Sequence, residues 1–122
     1  MRFSLHSVHG GVKHLDEIRQ HAQRAEELAY NQIFIGESHL SSIDSFQTLA
    51  TCAMLTQRML LGIAVTNMVF RHPTVLAGAA ASLNEISKGR APVSNLMLTP
   101  ARKVYHESVE TFAAKVIPHF RN

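Results

Sequence analysis

The sequence predicts an α/β fold in which the strands of a parallel sheet alternate with helices. Two observations support this prediction. Short segments that are β-branched, or that alternate apolar and polar residues, recur along the chain, and segments with apolar residues every three or four positions lie between them. Glycines and prolines fall at the boundaries. The resulting order, β-α-β-α-β-α, favours parallel strands that are joined by helical crossovers.

The first part of the chain contains two predicted strands with a helix between them. Residues 3–8 alternate apolar and polar side chains, which predicts a strand that ends before a pair of glycines. The apolar spacing predicts a helix over residues 14–29, and residues 33–35 are β-branched and aromatic, which predicts the second strand. The apolar face of this helix consists of Leu15, Ile18, Ala22, Ala25 and Leu28.

The second part repeats this alternation. Residues 46–56 are rich in Ala and Leu and are predicted to be helical, whereas residues 59–65 are almost wholly apolar, as is typical of a strand covered on both faces. A third helix is predicted to begin at Pro73, which suits the first helical position, and to stop at Gly89. The side chains predicted to face inward from it are Val75, Leu76, Ala79, Ala80, Leu83 and Ile86.

The tail is predicted to hold one more short strand, over residues 96–98, and a last helix. Thr99 and Pro100 suit the cap and the first position of that helix. Its apolar stripe consists of Val109, Phe112, Ala113, Val116, Ile117 and Phe120.

Composition excludes several classes of protein. With 122 residues, of which 46% are hydrophobic and 17% charged, the chain fits a single globular domain with one core. The net charge of +3 is too small to indicate nucleic-acid binding, and no apolar stretch reaches the ~20 residues of a membrane helix. Nothing at the amino terminus is typical of a signal peptide. Cys52 is the single cysteine, so we expect no internal disulfide and a cytoplasmic protein. We expect Cys52, Met54 and Met59 to lie in the core.

Several motifs occur in a fixed order along residues 1–90. They are AEELAYNQIFIGESH at 25–39, DSF at 44–46 followed by LA at 49–50, TQRMLLG at 56–62, TN at 66–67, RHP at 71–73, AASLNE at 80–85 and SKGR at 87–90. Together they resemble the luciferase-like flavin monooxygenases, a family that includes relatives of bacterial luciferase and enzymes that use the deazaflavin coenzyme F-420.

This resemblance implies a TIM barrel of eight β/α units, with a flavin lying across the carboxyl ends of the strands. A whole barrel typically takes about 250 residues. We therefore expect a partial TIM barrel, with about three amino-terminal β/α units plus a carboxyl-terminal helix, and a loss of the middle of the barrel. Residues 1–90 would form the barrel part, 91–99 a divergent linker or short strand, and 100–122 a helix that resembles the last helix of the family.

The resemblance also implies site residues. His39 follows the second strand at a position where many relatives hold a histidine near the flavin, as a base or a hydrogen-bond donor; the alternative is a loop histidine without chemistry. Ala64 and Val65 occupy the place of a non-proline cis peptide that backs the flavin ring, or are part of a plain buried strand. The side chain of Asn67 could bond a flavin carbonyl or ring nitrogen, or could serve only in a turn. Glu37 is either part of the site or a solvated loop residue.

Two further groups invite a functional interpretation. Arg71 could meet an anion at the start of the third helix, but Pro73 at the first helical position explains the motif without a ligand. His6 and His9 are three residues apart near the first strand and would point to opposite faces, so we expect no metal site.

The function implied by the resemblance is that of a flavin-dependent monooxygenase or oxidoreductase that uses FMN or coenzyme F-420 on an unknown small-molecule substrate. In the family, reduced FMN reacts with oxygen, or the deazaflavin exchanges hydride with a substrate. Whether this short chain is itself an enzyme is left open by its length. The alternative is a non-catalytic half-barrel remnant that dimerises or binds a flavin weakly. We expect a homo-oligomer, because three β/α units leave sheet edges open.

Overall fold

In the computed structural model, four strands and three helices alternate over the described residues from Ser4 to Thr99. The structure describes residues 4–7, 14–38, 41–67, 70–92 and 95–99, together with Glu110 and Ala114; of residues 6, 7, 67 and 96–99 it describes the backbone. The elements are β1 Ser4–Ser7, α1 Leu15–Glu27, β2 Gln32–Ile35, α2 Ser45–Leu55, β3 Leu60–Asn67, α3 Pro73–Ile86 and β4 Leu96–Thr99.

The strands form one parallel sheet in the order β1-β2-β3-β4, so each strand lies beside its neighbour in sequence. This confirms the predicted α/β alternation, and the short strand predicted over residues 96–98 is present as β4. Beyond β4, Glu110 and Ala114 are helical. The rest of the helix predicted over residues 100–122 lies outside the described residues.

One face of the sheet carries the hydrophobic core. Alternate residues of β2 and β3 pair across the two strands and are almost fully buried among apolar residues of the helices. These residues are Ile33, Ile35, Leu61 and Ile63. Cys52 and Met59 are also fully buried, as predicted. Among the described residues, no helix is both long and apolar enough to cross a membrane.

On the other face, β3 and its neighbours approach closely at Gly62. This glycine pairs with Phe34 of β2. A Cβ atom added at Gly62 would lie 2.5 Å from a ring carbon of Phe34 and 2.6 Å from the carbonyl oxygen of Asn95, which precedes β4. Real Cβ atoms do not tolerate such distances, so the packing of β3 beside β4 depends on the missing side chain.

Helix α1 buries the centre of its predicted apolar face. Ile18, Ala22 and Ala25 are buried, whereas Leu15 and Leu28 are exposed. Leu15 is the first residue of the helix and Leu28 is its C-cap, so both lie at ends where the helix has fewer neighbours. The predicted face is therefore correct in its middle and wrong at its ends.

Three more apolar residues that were predicted to be inside, in α2 and α3, are exposed. Met54 is 73% exposed because it lies roughly 200° around α2 from the buried Cys52. Val75 is turned by roughly 100° from its buried neighbour Leu76. Ile86 is the last residue of α3 and lines, with Met54, an open groove at the ends of the two helices. The predictions that these three side chains face the core are wrong.

A carboxylate at the amino ends of the strands ties α1 to the segment before β3. The side chain of Glu26 accepts hydrogen bonds from the N–H groups of Gln57 at 2.7 Å, Arg58 at 2.5 Å and Met59 at 3.1 Å. Burial on its own would raise the pKa of Glu26, but these three donors and the charge of Arg58 outweigh it and hold the pKa below its ordinary value. Glu26 therefore stabilises the fold as a carboxylate.

A guanidinium group fixes the same end of the sheet from the other side. Arg90 donates to the carbonyl oxygen of Ala53 at 2.8 Å, to that of Met59 at 3.1 Å and to the hydroxyl of Thr56 at 2.9 Å. Because Ala53 and Thr56 lie at the carboxyl end of α2, the positive charge also suits the helix dipole. In an α/β barrel, this end of the strands carries stability and the opposite end carries function.

Candidate functional site

The carboxyl ends of β2 and β3 lie side by side and form the candidate site. The last paired residues of the two strands are Ile35 and Ile63. Beyond them, the N–H of Glu37 donates to the carbonyl oxygen of Val65 at 3.4 Å, so the two segments stay in contact past the end of their ladder. Ligands of parallel α/β sheets bind outside the carboxyl ends of the strands.

Glu37 places a buried carboxylate at this edge. Its side chain is 5% exposed. The oxygen Oε1 accepts hydrogen bonds from Nε of Arg71 at 3.1 Å and from Nη2 of the same residue at 2.6 Å, and Oε2 accepts one from the hydroxyl of Thr66. The interpretation of Glu37 as a solvated loop residue is therefore wrong. Because both oxygens are engaged, the carboxylate is suited to holding its neighbours in place.

Asp44 is the second carboxylate at the edge, and it also starts α2. As the N-cap residue, it accepts through Oδ1 from the N–H groups of Phe46 at 3.0 Å and Gln47 at 3.2 Å, which satisfies two donors that the helix leaves unpaired. Its Oδ2 accepts from Nη2 of Arg71. Burial would raise the pKa of Asp44, but Arg71 and the two N–H groups outweigh burial and lower it.

Arg71 joins the two carboxylates. Its guanidinium group pairs with Glu37 and Asp44 and lies over the ring of Phe46, 5.1 Å from the centroid. Burial would lower the pKa of Arg71, but the two ion pairs raise it, so the group stays charged. We refer to Glu37, Asp44 and Arg71 as the edge cluster. The sequence singles out Glu37 and Arg71 separately and Asp44 only as part of the DSF motif, and it does not predict their contact.

The structure decides between the two interpretations of Arg71. Pro73 is the first residue of α3, and His72 is its N-cap, with Nδ1 accepting from the N–H of Thr74 at 3.4 Å. The interpretation as a helix start is therefore confirmed. The guanidinium group faces the two carboxylates of the edge cluster, which leaves the anion interpretation without support.

The end of β3 presents an apolar side chain beside the edge cluster. The register between β3 and β4 shifts between Ala64 and Thr66, which marks a bulge. The peptide bond between Ala64 and Val65 is cis, as the family resemblance implies. Val65 is 46% exposed, whereas Ala64 and Thr66 are 8% and 1% exposed. The bulge therefore turns one valine outward at the carboxyl end of a central strand.

The structure brings together only some of the predicted site residues. Ala64 and Val65 lie at the edge, next to Glu37. Asn67 ends β3, and only its backbone is described. His39 lies outside the described residues. Their predicted roles toward a cofactor stay predictions.

The described part of the chain holds no group of three or more His, Cys, Asp or Glu side chains that could bind a metal ion. Of the two histidines considered for a metal, the structure describes only the backbone of His6, and His9 lies outside the described residues.

Phe70, a few residues beyond β3, is 60% exposed. Exposed apolar side chains are therefore found at Val65, beside the edge cluster, and at Phe70, the residue before Arg71 in sequence.

Comparison with known proteins gives a consistent result. The sequence profile described as luciferase-like monooxygenase matches residues 1–94. Over 75 residues the chain is 37% identical to a 5,10-methylenetetrahydromethanopterin reductase of Methanolobus tindarius, and the match covers 62% of this chain and 23% of that protein. The chain therefore spans about a quarter of the length of this curated relative.

Solved structures share the fold. The coenzyme F-420-dependent tetrahydromethanopterin reductase of Methanopyrus kandleri superposes with a TM-score of 0.72 at 24% identity, over 89% of this chain and 30% of that one. The oxygenating constituent of 3,6-diketocamphane monooxygenase of Pseudomonas putida, a type II Baeyer–Villiger monooxygenase in complex with FMN, superposes with a TM-score of 0.67 at 17% identity. That match covers 92% of this chain and 32% of the monooxygenase.

Proposed function

The chain belongs to the luciferase-like monooxygenase family, and from this premise we propose that it forms the cofactor-facing part of a flavin-dependent oxidoreductase or monooxygenase. The cofactor is FMN or coenzyme F-420, and the substrate is a small molecule. The names of similar proteins support this choice, since one structure is described as dependent on coenzyme F-420 and another as a complex with FMN.

One observation carries the proposal. Val65 is turned outward at the carboxyl end of β3, between two buried neighbours. An exposed β-branched side chain on a strand end is restricted at χ1 and offers an apolar contact for one face of an aromatic ring system. Its own carbonyl oxygen is engaged by the N–H of Glu37, so the backbone there is held in place. The residues present therefore fit a flavin ring that lies across this edge.

The proposed roles follow from the chemistry of each side chain. When bound, the flavin supplies the electron transfer, and the protein positions it. Ala64 and Val65 would support one face of the ring. The amide of Asn67 would donate to or accept from polar atoms at the edge of the ring, and His39 would act as a base or a hydrogen-bond donor.

The architecture that we propose is a partial TIM barrel. Four parallel strands follow one another in sequence order, each of the first three followed by a helix, and this is the succession found in a barrel. In such a partial barrel, the outer strands β1 and β4 would be covered by another copy of the chain. We therefore expect a homo-oligomer in solution. Light scattering tests this: a mass above 13.5 kDa supports the oligomer, and a sharp mass of 13.5 kDa contradicts it.

Titration with cofactor tests the proposed function. We expect FMN or coenzyme F-420, added in the micromolar range, to change its fluorescence on binding to the protein. Val65→Glu should weaken this binding at least ten-fold, because a carboxylate would be pressed against the ring. Ile86→Glu is the matched control, since Ile86 is also β-branched and is 45% exposed but ends α3 beside Met54 and Arg90, at the opposite end of the sheet. It should leave the affinity within two-fold.

Two outcomes would contradict the proposal. One is the absence of any change with either cofactor up to millimolar concentration. The other is an equal loss of affinity in Val65→Glu and Ile86→Glu, which would indicate that the flavin does not lie at the end of β3. The tighter of the two cofactors in the wild-type titration identifies the one that this chain prefers.

A further inference from the structure

Glu37 attaches the end of β2 to the end of β3 at two adjacent positions. Its N–H donates to the carbonyl oxygen of Val65, and its carboxylate accepts from the hydroxyl of Thr66. Both contacts lie beyond Ile35 and Ile63, the last residues that pair in the ladder. The outward valine is therefore itself one of the two adjacent residues at which Glu37 holds the strand.

The position of the Glu37 carboxylate depends on Arg71. A carboxylate that is only 5% exposed is costly to bury without a partner. Arg71 provides that partner with two N–H groups on Oε1, which leaves Oε2 for Thr66. The same guanidinium group is held by Asp44, the N-cap of α2, and by the ring of Phe46.

We infer that Arg71 and Glu37 are positioning residues that set the orientation of Val65 at the bulge of β3, and that through it they set the affinity and environment of the bound ring. The second half of this inference rests on the proposed function. The first half concerns the protein alone. A series of contacts runs from the start of α2 through Asp44 and Arg71 to Glu37 and from there to Thr66.

The chemistry of the guanidinium group supplies a sharp variant. Lysine keeps the positive charge but offers a compact ammonium group in place of the planar fork of arginine. Arg71→Lys therefore retains a cation near Glu37 and Asp44, whereas it loses the paired hydrogen bonds to Oε1. If the orientation of Val65 depends only on the positive charge at position 71, Arg71→Lys behaves like the wild type. If it depends on the paired hydrogen bonds of the guanidinium group, Arg71→Lys differs from the wild type.

The chain also offers a matched control at the opposite end of the sheet. Glu26, like Glu37, is a carboxylate that links two segments through several hydrogen bonds, but it lies before β2. Glu26→Gln is expected to lower stability without moving Val65. A comparison of the two variants separates loss of stability from loss of positioning.

The first measurement uses the chain without cofactor. In NMR spectra, Arg71→Lys should shift the methyl signals of Val65 and the amide signal of Thr66 by more than their linewidths, and Glu26→Gln should leave both signals in place. Unshifted signals in Arg71→Lys, or equal shifts in Glu26→Gln, would overturn the inference. If Arg71→Lys does not fold, Thr66→Val is the second variant, because it removes only the hydroxyl group that donates to Glu37. The inference predicts that the methyl signals of Val65 shift in Thr66→Val, and unshifted signals would overturn it.

The second measurement is the titration with FMN and coenzyme F-420. Arg71→Lys should weaken binding at least five-fold and move the visible absorption band of the bound cofactor, and Glu26→Gln should do neither. Equal affinity and an unmoved band in Arg71→Lys would overturn the link to the cofactor. If the wild type binds neither cofactor, the proposed function fails and the link fails with it, whereas the NMR measurement still decides whether Val65 is positioned.

Discussion

The close approach at Gly62 predicts that one methyl group there destabilises the fold. In Gly62→Ala, the new Cβ atom would lie 2.6 Å from the carbonyl oxygen of Asn95 and 2.5 Å from the ring of Phe34. The ring can turn, but the carbonyl oxygen belongs to the backbone that leads into β4. Forcing an extra carbon into such a site typically costs about 1–3 kcal/mol. We therefore expect the free energy of unfolding to fall by about 2 kcal/mol.

The same substitution elsewhere provides the control. A Cβ atom added at Gly78, in the middle of α3, would meet nothing within 4 Å. Alanine is favoured over glycine inside a helix by about 0.5–1 kcal/mol, so Gly78→Ala should raise the free energy of unfolding by that amount. Urea unfolding followed by circular dichroism measures both variants. If Gly62→Ala is as stable as the wild type, or if the two variants shift in the same direction, the packing described for β3 and β4 is wrong.

Three further predictions concern single side chains. Because the pKa of Asp44 is lowered from its ordinary value of 3.8, its stabilising effect is present above that value and is lost as the pH falls through the lower folded value. In urea unfolding from about pH 7 to about pH 2, Asp44→Asn should therefore show a weaker fall in stability below about pH 4 than the wild type. Parallel stability curves for the two proteins would refute this. Cys52 is buried with its pKa raised to about 12, so a thiol reagent at pH 8 should modify it only when the protein unfolds, and rapid modification of the folded protein would contradict its placement. Ala29 has a φ of 62°, in the left-handed region after α1, so Ala29→Gly should stabilise the protein by about 0.5–1 kcal/mol in thermal unfolding, and a loss of stability would count against that backbone conformation.

Much of the fold could be predicted from local patterns in the sequence. The apolar run that becomes β3 and the Pro73 that opens α3 are local signals, and both are confirmed. It was harder to predict which side of each helix faces the core. Helices α2 and α3 are rich in Ala and apolar over much of their surface, so the spacing does not define which side is inside, and Met54 and Val75 were placed on the wrong side.

The candidate site was predictable only in part. The cis bond between Ala64 and Val65 was implied by the resemblance and is present. The edge cluster was not predicted, because Arg71 is 34 residues from Glu37 and 27 from Asp44. These side chains meet only when β2 and β3 pair in register and α2 starts beside them. The available signal was a charged residue, Glu37, two positions after a buried strand, followed by an aspartate before the next helix.

The central claim is that a flavin lies across the carboxyl ends of β2 and β3, against Val65. A crystal structure of the protein grown with the cofactor it binds more tightly would test this claim most directly. We predict that the ring will lie in contact with the Val65 side chain, with the edge cluster intact beside it. A ring bound elsewhere on the protein, with Val65 still open to solvent, would contradict the claim.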